Sequence, residues 1–186
     1  WILALGTRFS EADCSSWEPE YTFNFPPTQL IQIDIDPAEI GRNYPVAIGA
    51  LADLKSALAT LVRVAKRLAP EGVARPAMLA AMADNRKTFV AGNEAAMRSD
   101  NWPMRPERIL ADLRAVLPRD SILCTDVGWN KNGMAQQYPI YTPGSVLTPG
   151  GFATMGFGSP AALGAKVARP DKVVVALIGD GGFGQN

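Results

Sequence analysis

The sequence contains no histidine, and this absence excludes several kinds of catalytic site. Without an imidazole group the chain cannot form a Ser-His-Asp triad, a Cys-His pair, a zinc site that uses histidine or a histidine general base. Cysteine is also scarce: Cys14 and Cys124 are far apart and form no CxxC motif, so neither a zinc site nor a thioredoxin-like redox pair is expected. Any catalysis must therefore use other groups.

Net charge and long apolar runs are absent as well. Lys and Arg together number 18, as do Asp and Glu, so the chain lacks the basic surface of a nucleic-acid binder. The longest apolar stretches, such as residues 173–178, are far shorter than the roughly 18 to 20 residues that span a bilayer. We therefore expect a soluble, cytoplasmic protein whose partners are small molecules or proteins, with no nucleic acid and no membrane among them.

The length of 186 residues allows one domain or parts of two, and a hydrophobic content of 47% is enough for a buried core. The sequence opens with an apolar, strand-like run without an initiator Met, and it stops just after residues 179–182, where a helix should follow. Because complete domains seldom begin or end in this way, we expect a fragment of a longer polypeptide.

Strand and helix signals alternate in residues 1–70. Residues 30–36 combine β-branched apolar side chains with acidic ones and predict a strand that Pro37 ends. Asp53 is a candidate N-cap of a helix that runs to about Leu68. The predicted apolar face of this helix consists of Leu54, Leu58, Leu61, Ala65 and Leu68. This order predicts part of a doubly wound α/β domain.

Prolines bracket an Ala- and Met-rich stretch in residues 71–105, which predicts a linker that contains a helix from about Pro76 to Met97. A second α/β domain is expected in residues 106–186. Its predicted elements are a helix from Pro106 to Pro118, a strand at 122–125, a helix with Ser159 as cap, and a central strand at 173–178 buried on both faces. The predicted fold is α/β, with two partial doubly wound parallel-sheet domains joined by a helical linker.

Glycines flank an acidic residue in Gly179-Asp180-Gly181-Gly182, which follows the last predicted strand. Open α/β sheets bind ligands at this edge, glycines let the backbone approach a diphosphate, and a neighbouring carboxylate can bind a divalent cation. A Mg²⁺ site at Asp180 is therefore one interpretation. A plain strand-ending turn with Asp180 as N-cap is the other, and the motif alone does not decide between them.

Longer stretches resemble a known family. Asp-Val-Gly at 126–128, the glycine-rich run at 149–165 and Val-Ala-Leu-Ile-Gly-Asp-Gly at 175–181 resemble, in order and spacing, the diphosphate-binding domain of thiamine-diphosphate-dependent enzymes. The likeness is to the large catalytic subunit of the acetolactate synthase group. Residues 5–9 and 33–41 resemble that group's central domain, which in some members binds FAD or ADP.

The resemblance implies a site for thiamine diphosphate and Mg²⁺. The metal would be bound by Asp180, and the cofactor-binding residues would be Gly128, Trp129, Asn130, Ala153, Met155, Gly179, Gly181 and Gly182. The amides of Gly181 and Gly182 would face the diphosphate, Met155 would support the bent cofactor, and the carbonyl of Ala153 would accept from its aminopyrimidine. Ordinary core packing is the alternative for Met155.

The activity implied by the resemblance is that of a 2-oxo acid decarboxylase or carboligase, a transferase or lyase. The bent cofactor acts as its own base in this family, which agrees with the missing histidine. No catalytic residue is expected in this chain, since the activating glutamate would lie upstream and a further Mg²⁺ ligand beyond Asn186, so the chain alone should be inactive. The family binds its cofactor between subunits, which implies a homodimer or homotetramer.

Arg8 and Asp34 are candidates for binding the phosphate and ribose of FAD or another nucleotide. A solvated arginine and an exposed carboxylate at a strand end are the alternatives. Two other functions remain open. One is a dinucleotide-binding redox domain, against which stands the lack of a GxGxxG motif after a strand. The other is a non-catalytic module with the thiamine-diphosphate fold.

Overall fold

The structure is a computed structural model that describes residues 1–11 and 14–186. It divides into two compact units, Trp1–Arg75 and Pro76–Asn186. Each unit contains a three-stranded parallel sheet with helices, which confirms the predicted α/β class. The domain boundaries predicted at residues 70 and 105 stay predictions, while the two units meet in sequence between Arg75 and Pro76.

The first unit contains three strands, a short 3-10 helix at Ser15–Trp17 between the first two of them, and an α-helix after the third. Its elements are β1 (Ile2–Leu5), β2 (Leu30–Asp34), β3 (Ile48–Leu51) and α1 (Leu54–Leu68). The strands lie in the order β1-β2-β3, so that β2 is central and carries the buried Leu30. An aromatic cluster around Tyr44 packs against Leu30, and in it the rings of Phe9 and Tyr44 meet edge to face at 5.3 Å. This cluster anchors the segment that follows β1.

Helix α1 begins and ends as predicted and its leucines follow the spacing of one face, but most of that face is not buried. The side chain of Asp53 accepts a hydrogen bond from the backbone N–H of Ser56 at 3.0 Å, as an N-cap should. However, Leu58 is 42% exposed and Leu68 is 74% exposed. Only the start of the helix, at Leu54, lies close to the sheet, and no second layer among the described residues covers the rest.

The second unit has five helices and three strands among its described elements. They are α2 (Pro76–Met97), α3 (Pro106–Val116), β4 (Ile122–Thr125), α4 (Trp129–Gln137), β5 (Val146–Leu147), α5 (Gly158–Ala168), β6 (Val174–Leu177) and α6 (Asp180–Phe183). The helices predicted at α2 and α3 and the strand predicted at β4 are confirmed. Across the described part of the chain, no helix combines the length and the apolar character needed to cross a membrane.

Strand β4 is the central strand of this unit, in the order β5-β4-β6. All four of its residues are buried. Leu123 packs with Leu110 of α3 and Met134 of α4 on one face, while Cys124 packs with Ala165 of α5 on the other. Helices on both faces of a parallel sheet are the doubly wound arrangement.

Two predictions for this unit are wrong. Strand β6 was expected to be central and buried on both faces, yet it pairs only with β4 among the described strands, and its residues are partly exposed. Ser159 was expected to cap α5, yet the helix begins at Gly158 and no side chain next to it in sequence caps it. The backbone N–H of Gly158 donates instead to the carboxylate of Asp126, 2.8 Å away, so the cap comes from a different element.

Candidate functional site

The candidate site lies where β4 and β6 end side by side. Thr125, the last residue of β4, pairs with Leu177, the last residue of β6, and the backbone N–H of Asp126 donates to the carbonyl of Leu177 at 3.3 Å. Because both strands are parallel, the turn after β4 and the glycine-rich segment after β6 leave the same edge of the sheet. This is the edge at which open α/β sheets bind ligands.

The turn after β4 depends on Gly128. Its backbone has φ 84° and ψ −151°, a conformation that residues with a Cβ rarely adopt. Gly128 is also the N-cap of α4, so Trp129 and Asn130 form the first turn of a nine-residue helix. Backbone N–H groups in a first helical turn lack partners within the helix and can bind an anion. The turn therefore suits the phosphate contact expected for it.

Trp129 and Asn130 border an open pocket with a volume of about 420 Å³. Its other walls are Pro106, Ile109, Leu110, Val127, Leu177, Ile178 and Gly179. The indole of Trp129 lies flat over Gly133, so closely that a Cβ at residue 133 would come within 2.4 Å of the ring. Asn130 lies near Gly179, with its side-chain nitrogen 3.9 Å from the position of a Cβ there.

The loop before α5 has two residues with positive φ, Ala153 at 50° and Gly156 at 85°. An alanine in this region is uncommon and costs about 1 kcal/mol or more. The loop carries Met155, whose terminal methyl carbon lies 3.3 Å from the position of a Cβ on Gly181. Met155 is 45% exposed, so it is not an ordinary core residue, and the structure brings it together with the glycine-rich segment.

The glycine-rich segment after β6 forms α6, with Gly179 as N-cap. Asp180 is exposed, whereas Gly182 is buried. No group of three or more His, Cys, Asp or Glu side chains within the described ranges could bind a metal ion. Magnesium in proteins often uses only one or two carboxylates together with phosphate oxygens and water. A single exposed carboxylate beside glycine amides therefore fits a Mg²⁺–diphosphate ligand.

A buried carboxylate connects these segments. Asp126 is 1% exposed, and it accepts hydrogen bonds from the backbone N–H groups of Val127, Gly156 and Gly158 at 2.9, 3.2 and 2.8 Å. Burial on its own would raise the pKa of Asp126, but the three donors hold that pKa below the usual value for an aspartate. The carboxylate is therefore ionised at neutral pH.

Asp126 is a residue of this site that is not among the predicted site residues, although it belongs to the Asp-Val-Gly motif at 126–128. A signal was present in the sequence, since the aspartate directly follows the strand predicted at 122–125 and stands two residues before Gly128. The predicted residues themselves converge at one edge of the second unit's sheet. They are Gly128, Trp129, Asn130, Met155, Gly179, Asp180, Gly181 and Gly182, with Ala153 in the adjoining loop.

Arg8 and Asp34 line a separate cleft of about 420 Å³ in the first unit, at the carboxyl ends of β1 and β2. Asp34 is 7% exposed, so the alternative of an exposed strand-end carboxylate is wrong. Its Oδ1 accepts from the backbone N–H of Asp36 at 2.9 Å. Gln32 is buried beneath the cleft and donates from Nε2 to the carbonyl oxygens of Thr7 and Glu39, which fixes both sides of the opening.

Comparison with known proteins covers both units. Residues 1–61 match the family model of the thiamine pyrophosphate enzyme central domain, and residues 126–186 match that of the C-terminal TPP binding domain. A probable acetolactate synthase large subunit of Methanocaldococcus jannaschii is 37% identical to this chain over its whole length. An acetolactate synthase large subunit of Lactococcus lactis is 34% identical over 98% of the chain, and a sulfoacetaldehyde acetyltransferase of Roseovarius nubinhibens is 32% identical over 98%.

This chain covers 31%, 30% and 32% of those three relatives, so it spans about a third of their length. The central-domain match contains the cleft of the first unit, and the C-terminal match begins at Asp126 and runs through the glycine-rich segment. The site residues expected from the sequence thus lie together in a unit whose family binds thiamine pyrophosphate, and we conclude that this chain belongs to the thiamine pyrophosphate enzyme family.

Proposed function

We propose that the protein encoded by this reading frame is a thiamine-diphosphate- and Mg²⁺-dependent enzyme that acts on a 2-oxo acid, as a decarboxylase or carboligase resembling acetolactate synthase. The observation that carries this proposal is the contact of Met155 with Gly181, beside Asp180 and the turn at Gly128. A site that binds a diphosphate and a metal ion, and supports a bent cofactor with an apolar side chain, needs these residue types at one edge of the sheet.

Each group in the site would have a separate task. The exposed carboxylate of Asp180 would bind Mg²⁺, and the amides of Gly181 and Gly182 would bind the diphosphate oxygens from one side. The amides of the first turn of α4 would bind them from the other side, while Met155 supports the ring system. Once bound, thiamine diphosphate supplies the electron sink that 2-oxo acid decarboxylation requires. The chain's own residues orient it and exclude water.

The proposed substrate class is a 2-oxo acid. Two similar relatives are named as acetolactate synthase large subunits, and a third is named as an acetyltransferase, which is a group-transfer enzyme. A transferase is therefore favoured over a simple lyase. Cys14 and Cys124 are buried and neither is part of a disulfide, which suits a reducing compartment and supports the expected cytoplasmic location.

The test is the metal dependence of cofactor binding after replacement of Asp180. In the full-length protein we expect Asp180→Ala to weaken thiamine diphosphate binding in the presence of Mg²⁺ by about 100-fold, because a metal bridge is lost and with it several charge-assisted contacts. Isothermal titration calorimetry with and without Mg²⁺ measures this. Asp84→Ala, an exposed aspartate on α2, is the matched control and should bind as the wild type does. Unchanged, metal-dependent affinity in Asp180→Ala would refute the proposed site.

We also propose that the cleft of the first unit binds the ribose and phosphate of a nucleotide such as FAD or ADP. The support is the buried carboxylate of Asp34 beside the exposed guanidinium of Arg8. Other carboxylates around the cleft, at Asp36, Glu39 and Asp53, favour hydroxyl groups over phosphates, so that Arg8 would be the phosphate contact.

Nucleotide binding can be tested on the same full-length protein with FAD and ADP as probes. We expect Asp34→Asn and Arg8→Gln each to weaken binding about tenfold, since each removes a charge-assisted hydrogen bond to the ligand. Fluorescence titration with FAD and calorimetry with ADP measure it, and Arg63→Gln on the exposed face of α1 is the control. If the wild type binds neither nucleotide, the cleft has no such role, and the thiamine diphosphate proposal is unaffected.

A further inference from the structure

We propose that Asp126 is a positioning residue that fixes three backbone segments of the candidate cofactor site relative to one another. These segments are the turn after β4, the loop before α5 and the start of α6. The geometry alone carries the inference that Asp126 joins the three segments, while the effect of Asp126 on cofactor binding rests on the proposed function.

Both oxygens of the Asp126 carboxylate are used. Oδ1 accepts from the N–H groups of Val127 and Gly156 at 2.9 and 3.2 Å, and Oδ2 accepts from Gly158 at 2.8 Å. An ionised carboxylate can accept from donors on both oxygens, whereas an amide in its place would present an N–H to one of these donors. The residue is 1% exposed, so water does not replace these hydrogen bonds.

The third segment contacts the same carboxylate by packing. A Cβ on Gly182 would lie 2.8 Å from Cγ and 2.9 and 3.1 Å from the two oxygens of Asp126, closer than real side chains approach. Gly182 is therefore a glycine because the carboxylate occupies the space of its side chain. Through this contact, the position of Asp126 also sets that of α6, which carries Asp180 and Gly181.

The loop before α5 needs such an anchor. Residues 151–157 belong to no helix or strand, the backbone N–H of Ala153 donates only within the loop, to the carbonyl of Gly150 at 3.1 Å, and two of the loop residues have positive φ. Asn186 donates from Nδ2 to the carbonyl oxygens of Gly156 and Gly182, but it does so from an exposed position where water competes. The buried link through Asp126 therefore decides where Met155 lies over Gly181.

The alternative is that Asp126 contributes only to global stability, as any buried, hydrogen-bonded carboxylate does. Two readouts separate the possibilities. One is local hydrogen exchange at residues 154–160, measured by mass spectrometry on the cofactor-free protein. The other is the dissociation constant for thiamine diphosphate at saturating Mg²⁺. A loss of global stability alone would not raise exchange selectively at residues 154–160, and it would not selectively weaken thiamine diphosphate binding.

The experiment uses Asp126→Asn in the full-length protein. We expect exchange at 154–160 to increase about tenfold and thiamine diphosphate to bind about tenfold or more weakly, since one N–H of the loop then faces another donor. The control is Ser145→Ala, which removes a buried hydrogen bond to Thr142 at the opposite end of the sheet and should change neither readout.

A second variant keeps the proposal testable if Asp126→Asn does not fold. Gly182→Ala should push the carboxylate aside and speed exchange at 154–160, although residue 182 lies on a different element. Unchanged exchange in both variants, or faster exchange with unchanged cofactor affinity, overturns the positioning role. Failure of the wild-type protein to bind thiamine diphosphate would instead refute the proposed function, and the exchange data would still decide whether Asp126 joins the segments.

Discussion

A glycine inside a helix normally weakens it, because glycine loses more backbone entropy on folding than alanine does. Two of the helix glycines in the second unit, Gly133 and Gly164, lie in very different surroundings. A Cβ at Gly133 of α4 would come within 2.4 to 2.6 Å of the Trp129 ring, whereas a Cβ at Gly164 of α5 would meet nothing within 4 Å. At residue 133 the glycine is needed so that the indole can lie against the helix and form a wall of the pocket.

This difference predicts opposite effects of the same substitution. Gly164→Ala should raise the free energy of unfolding by about 0.5 to 1 kcal/mol through helix propensity. Gly133→Ala should lower it by about 1 to 3 kcal/mol, because the methyl group overlaps the ring and displaces it. Urea unfolding of both variants measures this. If overlap with the ring is the reason, Gly133→Ala should raise the free energy of unfolding when it is introduced into the Trp129→Ala variant. A Gly133→Ala single variant that is more stable than the wild type would contradict this reason.

At the scale of elements, the sequence predicted those helices and strands whose ends depend on residues close by in the chain. Asp53 caps α1, and α2, α3 and β4 occupy the residues expected from prolines, caps and apolar spacing. The start of α5 could not be predicted in this way, since the group that accepts from Gly158 is Asp126, which lies 32 residues earlier. No window of sequence around Ser159 contains that information.

Burial was predicted less well than element type, and for a physical reason. The apolar pattern of β6 and α1 shows which faces can be buried, but what covers them depends on neighbouring layers. Within the described residues, β6 pairs on one side only and the face of α1 at Leu58 and Leu68 has no cover. The predicted site residues at 128–130 and 179–182 follow strand ends, so the sequence could place them at one edge of the sheet, whereas Asp126 acts through contacts that no local pattern specifies.

At the scale of the whole molecule, the two units correspond to two family domains. The central-domain match lies in the first unit and the TPP-binding match in the second. Each unit has a cleft at the carboxyl ends of its own strands. Buried Asp34 lines the cleft of the first unit, and in the second unit buried Asp126 directly follows β4. The expectation that this chain alone lacks activity stays a prediction, since it covers about a third of its relatives.

The exposed apolar side chains beside the candidate site predict self-association of the full-length protein. Phe152 is 96% exposed in the loop that carries Met155, which is itself 45% exposed. Burial of such side chains contributes about 25 cal/mol per Å² of apolar surface, so a contact that covers this edge of the sheet is favourable. We propose that a second copy covers this loop in the homodimer or homotetramer that the family resemblance implies for the full-length protein.

Sedimentation velocity of the full-length protein at micromolar concentration measures the assembly. Phe152→Ser should raise the dimer dissociation constant by about tenfold or more, because a large aromatic side chain near the centre of an interface contributes most of its affinity. Trp102→Ser, which changes an aromatic residue that is 89% exposed in the segment before α3, should have a smaller effect. A monomeric wild-type protein would contradict the prediction. Equal effects of the two substitutions would show that the loop at Phe152 is not the covered surface.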